Sequence, residues 1–406
     1  MHILMLSHGY PPSISGVTLV AQKLARAMVR REHKVTVIAG SDRFRPYRLE
    51  DRGVEVIRVR SIANPFWKEG PLPILRSEML WEIVTNVQPD LIHTHDSGLL
   101  TWPLFGIEQD CDLPHLLTCH YVPRFITNYI ELGNSIDQVA ELLAWKYTVR
   151  MVDHFDRLVF PTRTHEQTFL QHGLRRPSSV ISNGIDTDRY RPEARSDPDL
   201  DTRYALPAHP RILFVGRLAK DKRIDLLIQA MPQVWRAIQG HLLLVGRGDE
   251  RGELEQLTRD LAVEHAVHFL GFVPEEDLPA LYRQSDLFAI ASECEVQSIP
   301  TIQAAASGLP IVGVRAGALP ELIESGSNGY LFPPGDVGRL SEALVRILSD
   351  NNLARAMRYV SMAIGIRHAE SLTFDAYEAL YRRLLAGEEL IWNAGFAERA
   401  AVPLKM

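Results

Sequence analysis

Arg217 and Lys222 are the first residues whose placement suggests chemistry. They sit in Gly216-Arg217-Leu218-Ala219-Lys220-Asp221-Lys222, which follows an apolar run and precedes a helical pattern. Two fixed cations at a strand's carboxyl end suit a pyrophosphate, although side chains of this kind on loops are commonly just solvated. In the stretch from Ser292 to Gln303, Ser298 has the type and place of a helix N-cap and Pro300 lies in the first turn. Gly308 and Pro310 end that helix. Glu295 then lies on the loop before the helix and Gln303 on its second turn. A carboxylate and an amide there suit sugar or ribose hydroxyls; an ordinary capped helix under a strand accounts for the same pattern. Ser15-Gly16-Val17, Gly246-Arg247-Gly248 and Ala316-Gly317-Ala318-Leu319-Pro320-Glu321 are three glycine turns. Gly16 and Gly317 are expected to bring helix N-terminal N–H groups to an anion. Gly246 is expected to turn the chain near a phosphate, because G-x-G-x-x-x-G through Gly252 is not the dinucleotide fingerprint. His120, at the end of the apolar run Leu116–Cys119, can bond or polarise a ligand; a structural hydrogen bonder is the alternative.

Several classes fall away. His93 and His95 share one face of a strand with no third ligand near in sequence, so no metal site is expected. Cys111, Cys119 and Cys294 form no C-x-x-C pair, which fits a reducing cytosol. A net charge of −6 over 406 residues lacks the basic footprint of nucleic-acid binding. That charge falls wholly after residue 190. No apolar run reaches the ~18 residues of a membrane span, and MHILMLSHGYPP reads as a strand rather than a signal peptide. A cytoplasmic protein is expected. The cluster Arg26, Arg30, Arg31 and Lys34, followed by Arg43, Arg45 and Arg48, reads as a solvated helix end and loop or as a surface for anionic headgroups.

The elements that must position these residues are alternating strands and helices. Apolar runs predict strands over 2–6, 34–39, 54–59, 90–93, 115–119, 158–161 and 179–181, with helical spacing near 20–28, 77–87 and 124–155. Residues 188–210 are rich in Pro, Asp and Arg, lack apolar periodicity, and read as an interdomain connection. The second half repeats the alternation, with strands over 211–215, 241–245, 267–269, 287–291 and 311–314. Helices are expected between them, over 224–235, 253–262, 276–285 and 298–307. Such alternation implies parallel sheets in two α/β domains, with ligands at the carboxyl ends of the strands.

Together these pieces resemble the retaining glycosyltransferases of family 4, whose GT-B fold has two Rossmann-like domains facing each other across a cleft. The resemblance spans nearly the whole chain. It rests on the opening strand with Pro11-Pro12 and its glycine loop, on Thr118-Cys119-His120, on Pro161-Thr162 and on Asn183-Gly184-Ile185-Asp186. It continues through Gly216-Arg217 with Lys222, through Glu295 eight positions before Gln303, and through Ser307-Gly308-Leu309-Pro310. Gly317 with Pro320-Glu321 completes it. Gln303 replaces the family's second motif glutamate, which holds the ribose hydroxyls, so an altered nucleotide grip is expected. Ser15 replaces one of a glycine pair, and Arg223 the glycine that commonly follows the clamp lysine. Glu295-Val296-Gln297-Ser298 is similar to the Glu-Thr-Gln-Gly form of bacterial diacylglycerol glucosyltransferases. That similarity points to a lipid acceptor, and the basic cluster with the 124–150 pattern to a membrane-facing surface.

The resemblance implies an acceptor domain over 1–190, a linker over 191–210, a nucleotide-sugar domain over 211–370, and helices over 371–406 that return to the first domain. It implies hexose transfer from a nucleoside diphosphate sugar, UDP-glucose before GDP-mannose, to a hydroxyl acceptor with retention of configuration. Arg217 and Lys222 clamp the diphosphate beside Gly216, Gly246 and Gly317, and Gly16 leaves room for it. Glu295 holds the sugar hydroxyls, Gln303 the ribose, and His120 contacts the sugar. No metal or other cofactor is expected, because the cations neutralise the leaving group, and no second carboxylate stands as a glycosidase-type partner. An epimerase or hydrolase of the same fold, or a nucleotide-sugar binder without catalysis, are the alternatives.

Overall fold

The computed structural model describes residues 1–13, 15–63, 72–95, 98, 100–107, 111–123, 134–192, 197 and 199–388, with backbone alone for 134–138. The chain divides into two compact units, Met1–Asn183 with Ser371–Met406, and Gly184–Glu370.

In the first unit, β1 (His2–Leu6), β2 (Lys34–Gly40), β3 (Tyr47–Asp51), β4 (Val54–Val59), β7 (Leu91–Thr94), β8 (His115–Thr118), β9 (Arg157–Phe160) and β10 (Ser178–Val180) form one sheet. The two-residue strands β5 (Ser61–Ile62) and β6 (Leu72–Pro73) pair separately. The order is β10-β9-β8-β7-β1-β2-β4-β3, and only β3 runs antiparallel, against β4. Central strands are buried on both faces, which is why they read as unbroken apolar runs. The edge strand β3 escapes that pattern. Its Arg48 and Glu50 face solvent, and Arg48 pairs with Glu55 at 2.7 Å. Charge on an edge strand blocks further pairing, and it makes the stretch read as a loop. Helices α1 (Gly16–Arg30), α2 (Ser77–Val87), α3 (Trp102–Phe105), α4 (Asn134–Val152) and α5 (Arg163–Gln171) connect the strands. The part of the predicted long helix at 124–133 lies outside the described residues.

The second unit has a six-stranded, wholly parallel sheet of β11 (Arg211–Val215), β12 (His241–Val245), β13 (Val267–Gly271), β14 (Leu287–Ile290), β15 (Ile311–Val314) and β16 (Gly329–Phe332). Its order is β13-β12-β11-β14-β15-β16. The helices are α6 (Leu200–Arg203), α7 (Ile224–Ile238), α8 (Arg251–Asp260), α9 (Leu278–Arg283), α10 (Ile299–Ala306), α11 (Val337–Leu348) and α12 (Asn351–Ile366). Gly365 of α12 lies so close to α10 that a Cβ there would stand 2.4 Å from the Ala306 nitrogen.

The crossing between units falls at Asn183/Gly184, not in 191–210. The polar stretch after residue 184 packs on the second core through isolated anchors: Ile185, Tyr190 and Leu200 are buried, and Tyr190 meets Tyr282 edge-on. Anchors this sparse leave no periodicity to read. The return crossing runs beside the first: Ile185 N–H donates to His368 O at 2.9 Å, and Glu370 N–H to Ile185 O at 2.8 Å.

The last helix, α13 (Glu370–Leu385), buries Phe374, Tyr377, Leu380 and Tyr381 in the first unit's core. Arg31 holds it through Asp375 at 2.5 Å and Glu378 at 2.6 Å. Arg26 pairs with Asp51 at 2.6 Å. Within the basic cluster Arg26 and Arg31 are spent on intramolecular carboxylates, whereas Arg30, Lys34, Arg43, Arg45 and Arg48 are exposed.

Candidate active site

Strand order reverses between β11 and β14 in the second unit, and the loops leaving their carboxyl ends diverge there. A crevice at such a reversal is where open α/β sheets bind ligands. Arg217 and Lys222 follow β11; Glu295 follows β14. Residues 220–222 form one 3₁₀ turn, after which Arg223 takes φ +46°. That left-handed conformation suits glycine, and here Asp225 and Glu293 hold the arginine in it. Lys222 Nζ donates to Glu295 Oε1 at 2.7 Å and lies 3.4 Å from Asp221 Oδ2. Arg217 Nη2 donates to Asp221 Oδ1 at 3.3 Å. Burial alone would depress the Lys222 ammonium, but the Glu295 and Asp221 carboxylates outweigh it and hold its pKa above the ordinary lysine value. The cluster is two cations and two carboxylates. Asp221, between the two cations, was not among the residues the sequence singled out, although it lies in the same loop.

Glycines lock the loops behind this cluster. Gly317 has φ +54°, and a Cβ on it would stand 2.8 Å from Glu295 O and 3.1 Å from Glu295 N. Ala318 N–H donates to Glu295 O at 3.0 Å. Gly317 thus seats the Glu295 loop. It does not open a long helix: Leu319–Glu321 is a single 3₁₀ turn, too short for the expected helix dipole. Gly246, at φ +138°, passes so close to Gly216 that a Cβ would stand 1.8 Å from its carbonyl oxygen. Gly216 N–H donates to Val245 O and Leu218 N–H to Arg247 O, both at 2.9 Å. Gly246 therefore joins the two loops by backbone contact. Gly246→Ala meets immovable backbone in a conformation that L-residues avoid, so a stability loss of about 3 kcal/mol or more is expected in urea unfolding; an unchanged midpoint would contradict this packing.

Ser298 caps α10, accepting from Thr301 N–H at 3.4 Å, as its type predicts. Gln303 is turned inward: its Oε1 accepts from the buried Tyr282 hydroxyl at 3.1 Å. Burial raises the Tyr282 phenol well above its ordinary pKa, so it stays a donor.

The first unit has its own reversal, between β7 and β1. Gly16 opens α1 there, with Ser15 as the N-cap. A Cβ on Gly16 would meet no described atom within 4 Å, so the fold itself makes no demand for glycine. The buried Arg58 orders the preceding loop. Its Nη1 donates to Gly40 O at 2.7 Å, and its Nη2 to the carbonyls of Tyr10, at 3.1 Å, and Pro11. A lone arginine at a strand end carries no motif, so nothing in the sequence marks it. His120, just past β8, bonds His95 just past β7, Nε2 to Nδ1, at 3.1 Å. His93 is bonded at both nitrogens, to Tyr381 Oη and Thr118 Oγ1, each at 2.7 Å. Burial pushes His93 and His120 down to about 3, with the neighbouring imidazoles adding to it. Burial likewise lowers His165 to about 4.

Two family descriptions match the chain in tandem: "Glycosyltransferase Family 4" over residues 14–189 and "Glycosyl transferases group 1" over 204–361. This chain is a GT-B glycosyltransferase of the family 4 type. An uncharacterized glycosyltransferase of Methanocaldococcus jannaschii is 29% identical over 358 residues, 86% of this chain and 90% of that one. A GDP-mannose-dependent α-(1-6)-phosphatidylinositol monomannoside mannosyltransferase of Mycobacterium tuberculosis is 31% identical over 182 residues, 43% of this chain and 47% of that one. The crystal structure of Anabaena Alr3699/HepE in complex with UDP-glucose shares the fold, with a TM-score of 0.73 at 21% identity over 96% of this glycosyltransferase and all of that chain.

Proposed function

We propose that this glycosyltransferase moves a hexose from a nucleoside diphosphate sugar, UDP-glucose foremost, to a hydroxyl at a membrane surface, with retention of anomeric configuration. The observation that carries the reading is the 2.7 Å Lys222–Glu295 pair, with Arg217 and Asp221, at the second unit's strand reversal. A nucleoside diphosphate is already a good leaving group. It needs its developing charge neutralised more than it needs a strong acid, and Lys222 and Arg217 supply fixed positive charge. Glu295 holds the sugar hydroxyls, leaving the diphosphate itself to help deprotonate the acceptor in a front-face displacement. No metal is called for in this scheme. The UDP-glucose bound by the Anabaena protein supports the donor.

Two observations support a lipid acceptor. The Mycobacterium relative is named for a phosphatidylinositol monomannoside. On α4, Val139, Leu142, Leu143 and Tyr147 are each half exposed or more at three- and four-residue spacing, and Trp102 lies against Tyr147. Exposed Lys146 and Arg150 share the helix. Apolar residues flanked by basic ones suit the headgroup boundary of an anionic bilayer.

The role given to Gly16, clearance for the diphosphate, predicts a separation of effects. Gly16→Ala leaves the unfolding midpoint unchanged, because its Cβ enters open space, while turnover falls about tenfold or more as the backbone is held off the ligand. Unchanged turnover would remove Gly16 from the site. The whole reading is tested by nucleoside diphosphate release from a panel of nucleotide-sugars, with and without diacylglycerol vesicles. Release from one donor that rises sharply with vesicles is expected. Release indifferent to vesicles would overturn the lipid acceptor, and no release from any donor would overturn the transfer reaction.

A further inference from the structure

His120 does not stand alone at the end of β8. His95 comes from the neighbouring strand end, and the two rings lie nearly parallel, 15° apart, with centroids at 5.4 Å. Their 3.1 Å contact joins His95 Nδ1 to His120 Nε2, so one of these nitrogens carries the hydrogen and the other is bare. His95 is 3% exposed, and among the described residues its Nε2 has no hydrogen-bond partner. A buried N–H without an acceptor is rarer in folded proteins than a buried acceptor without a donor. The hydrogen of His95 therefore belongs on Nδ1, where it has an acceptor in His120 Nε2. His120 must then carry its own hydrogen on Nδ1, the nitrogen facing away from His95.

The ring behind His95 reinforces this choice. His93 packs against it with centroids 4.1 Å apart. Both His93 nitrogens are already engaged, by Tyr381 and by Thr118, which itself bonds Tyr377 at 2.9 Å. His93 can therefore neither satisfy His95 Nε2 nor turn aside to let the His95 ring flip. The other titratable groups that act on His120 among the described residues are His165 and His8. Both are imidazoles, and the Nε2 of His165 is committed to Tyr121 O at 3.0 Å. Burial among neutral rings keeps His120 itself uncharged at neutral pH.

We propose that His95 is a positioning residue that fixes the tautomer of His120, so that His120 meets its ligand as an Nδ1–H donor to an oxygen and not as a proton acceptor. The ligand half of this inference rests on the reading above that His120 contacts the transferred sugar, whose hydroxyl and ring oxygens are acceptors of this kind. On this account His120 takes no proton from the acceptor substrate; it orients an oxygen of the sugar by a hydrogen bond whose direction His95 sets.

The test uses the full chain labelled with ¹⁵N-histidine. Long-range ¹H–¹⁵N correlation spectra at neutral pH distinguish the two neutral tautomers and the imidazolium. The Nδ1–H form is expected at both His95 and His120; the Nε2–H form or the imidazolium at His120 would overturn the proposal. His95→Leu should release His120 to the Nε2–H form and lower kcat about tenfold or more. His95→Asn, whose amide nitrogen falls near the place of Nδ1 and can donate, should restore both the tautomer and most of the rate. Equal loss in both variants with the His120 tautomer unmoved would reduce His95 to a packing residue and overturn the proposal. His120→Ala addresses the underlying reading separately: unchanged turnover would sink the sugar contact and the ligand half of the proposal with it, whatever the tautomer spectra show.

Discussion

Lys222→Ala lowers turnover at saturating donor by about 10²-fold or more, the scale seen when a preorganised charge donor at a transition state is removed. Lys222 Nζ joins the two loops of the strand reversal at 2.7 Å from Glu295, beside the Arg223–Glu293 pair, and lies 3.4 Å from Asp221 on its own loop. Arg217 reaches Asp221, at 3.3 Å, and is the more exposed of the two cations. Deleting the ammonium leaves two carboxylates facing one another where the leaving diphosphate must gather negative charge, so the loss is both of attraction and of shielding. The carboxylates that raise the Lys222 pKa keep it charged beyond the ordinary lysine range. Its contribution is therefore complete at neutral pH and is lost only as pH rises past that raised value. The measurement is kcat for the alanine variant beside its unfolding midpoint. Near-normal kcat would remove Lys222 from the mechanism.

The imidazoles of the first unit make the second large effect, a loss of stability on the acid side. In the unfolded chain histidine titrates near 6.5, whereas in the fold His93 and His120 stay neutral down to about 3 and His165 to about 4. His95 is displaced in the same direction, by burial above all. At neutral pH neither state binds these protons. As pH falls below 6.5 the unfolded chain takes them up and the native chain does not, so unfolding is favoured progressively until the native pKa values are reached. Each imidazole that stays neutral steepens the decline by up to about 1.4 kcal/mol per pH unit. Burial holds His268 and His368 down to about 4 in the second unit, which adds to the slope. Urea midpoints measured in steps from pH 7.5 to 5 should be level at the upper end and fall steeply below 6.5. A flat profile would mean that these rings are protonated, or exposed, in the native state.

Much of the fold is legible because the sheets are parallel and covered on both faces. Strands such as Ile3–Leu6 and Leu242–Val245 are uninterrupted apolar runs. The edge strand β3 is not, since Arg48 and Glu50 alternate along it and, among the described residues, it pairs with β4 alone. The helices expected from apolar spacing end at 298–307, although α11 carries a helical pattern of its own, with Leu340, Ala343, Leu344 and Ile347 at helical spacing and Asp336 as its cap. The turn at Gly317 is a different case. Leu319-Pro320-Glu321 opens a helix or a 3₁₀ turn equally well, and what decides between them is the Glu295 backbone pressed against Gly317, a contact 22 residues away in sequence. For the candidate site, Arg217, Lys222 and Glu295 could be named from their places after strands, and the chain brings Lys222 and Glu295 into contact. Gln303 could be named too, but not its turn toward Tyr282, which depends on packing between α9 and α10. His93 and His95 are visibly on one strand face. That His120 joins them follows only from β7 pairing with β8, in which Thr94 faces Leu117. Arg58 is buried by contacts distant in sequence and Asp221 is placed by the fold between two cations, and neither is marked by a pattern in the sequence.

The anomeric configuration of the first product formed tests the central claim most directly. With UDP-glucose labelled at C1 and a diacylglycerol acceptor in vesicles, the anomeric proton coupling of the glycolipid reports the stereochemistry before any exchange. The account predicts an α-linked product from the α-configured donor, formed in step with UDP release. A β-linked product would contradict it, because inversion needs a general base on the far side of the sugar, a role that neither Lys222, paired with Glu295, nor a neutral His120 donating through Nδ1 can fill.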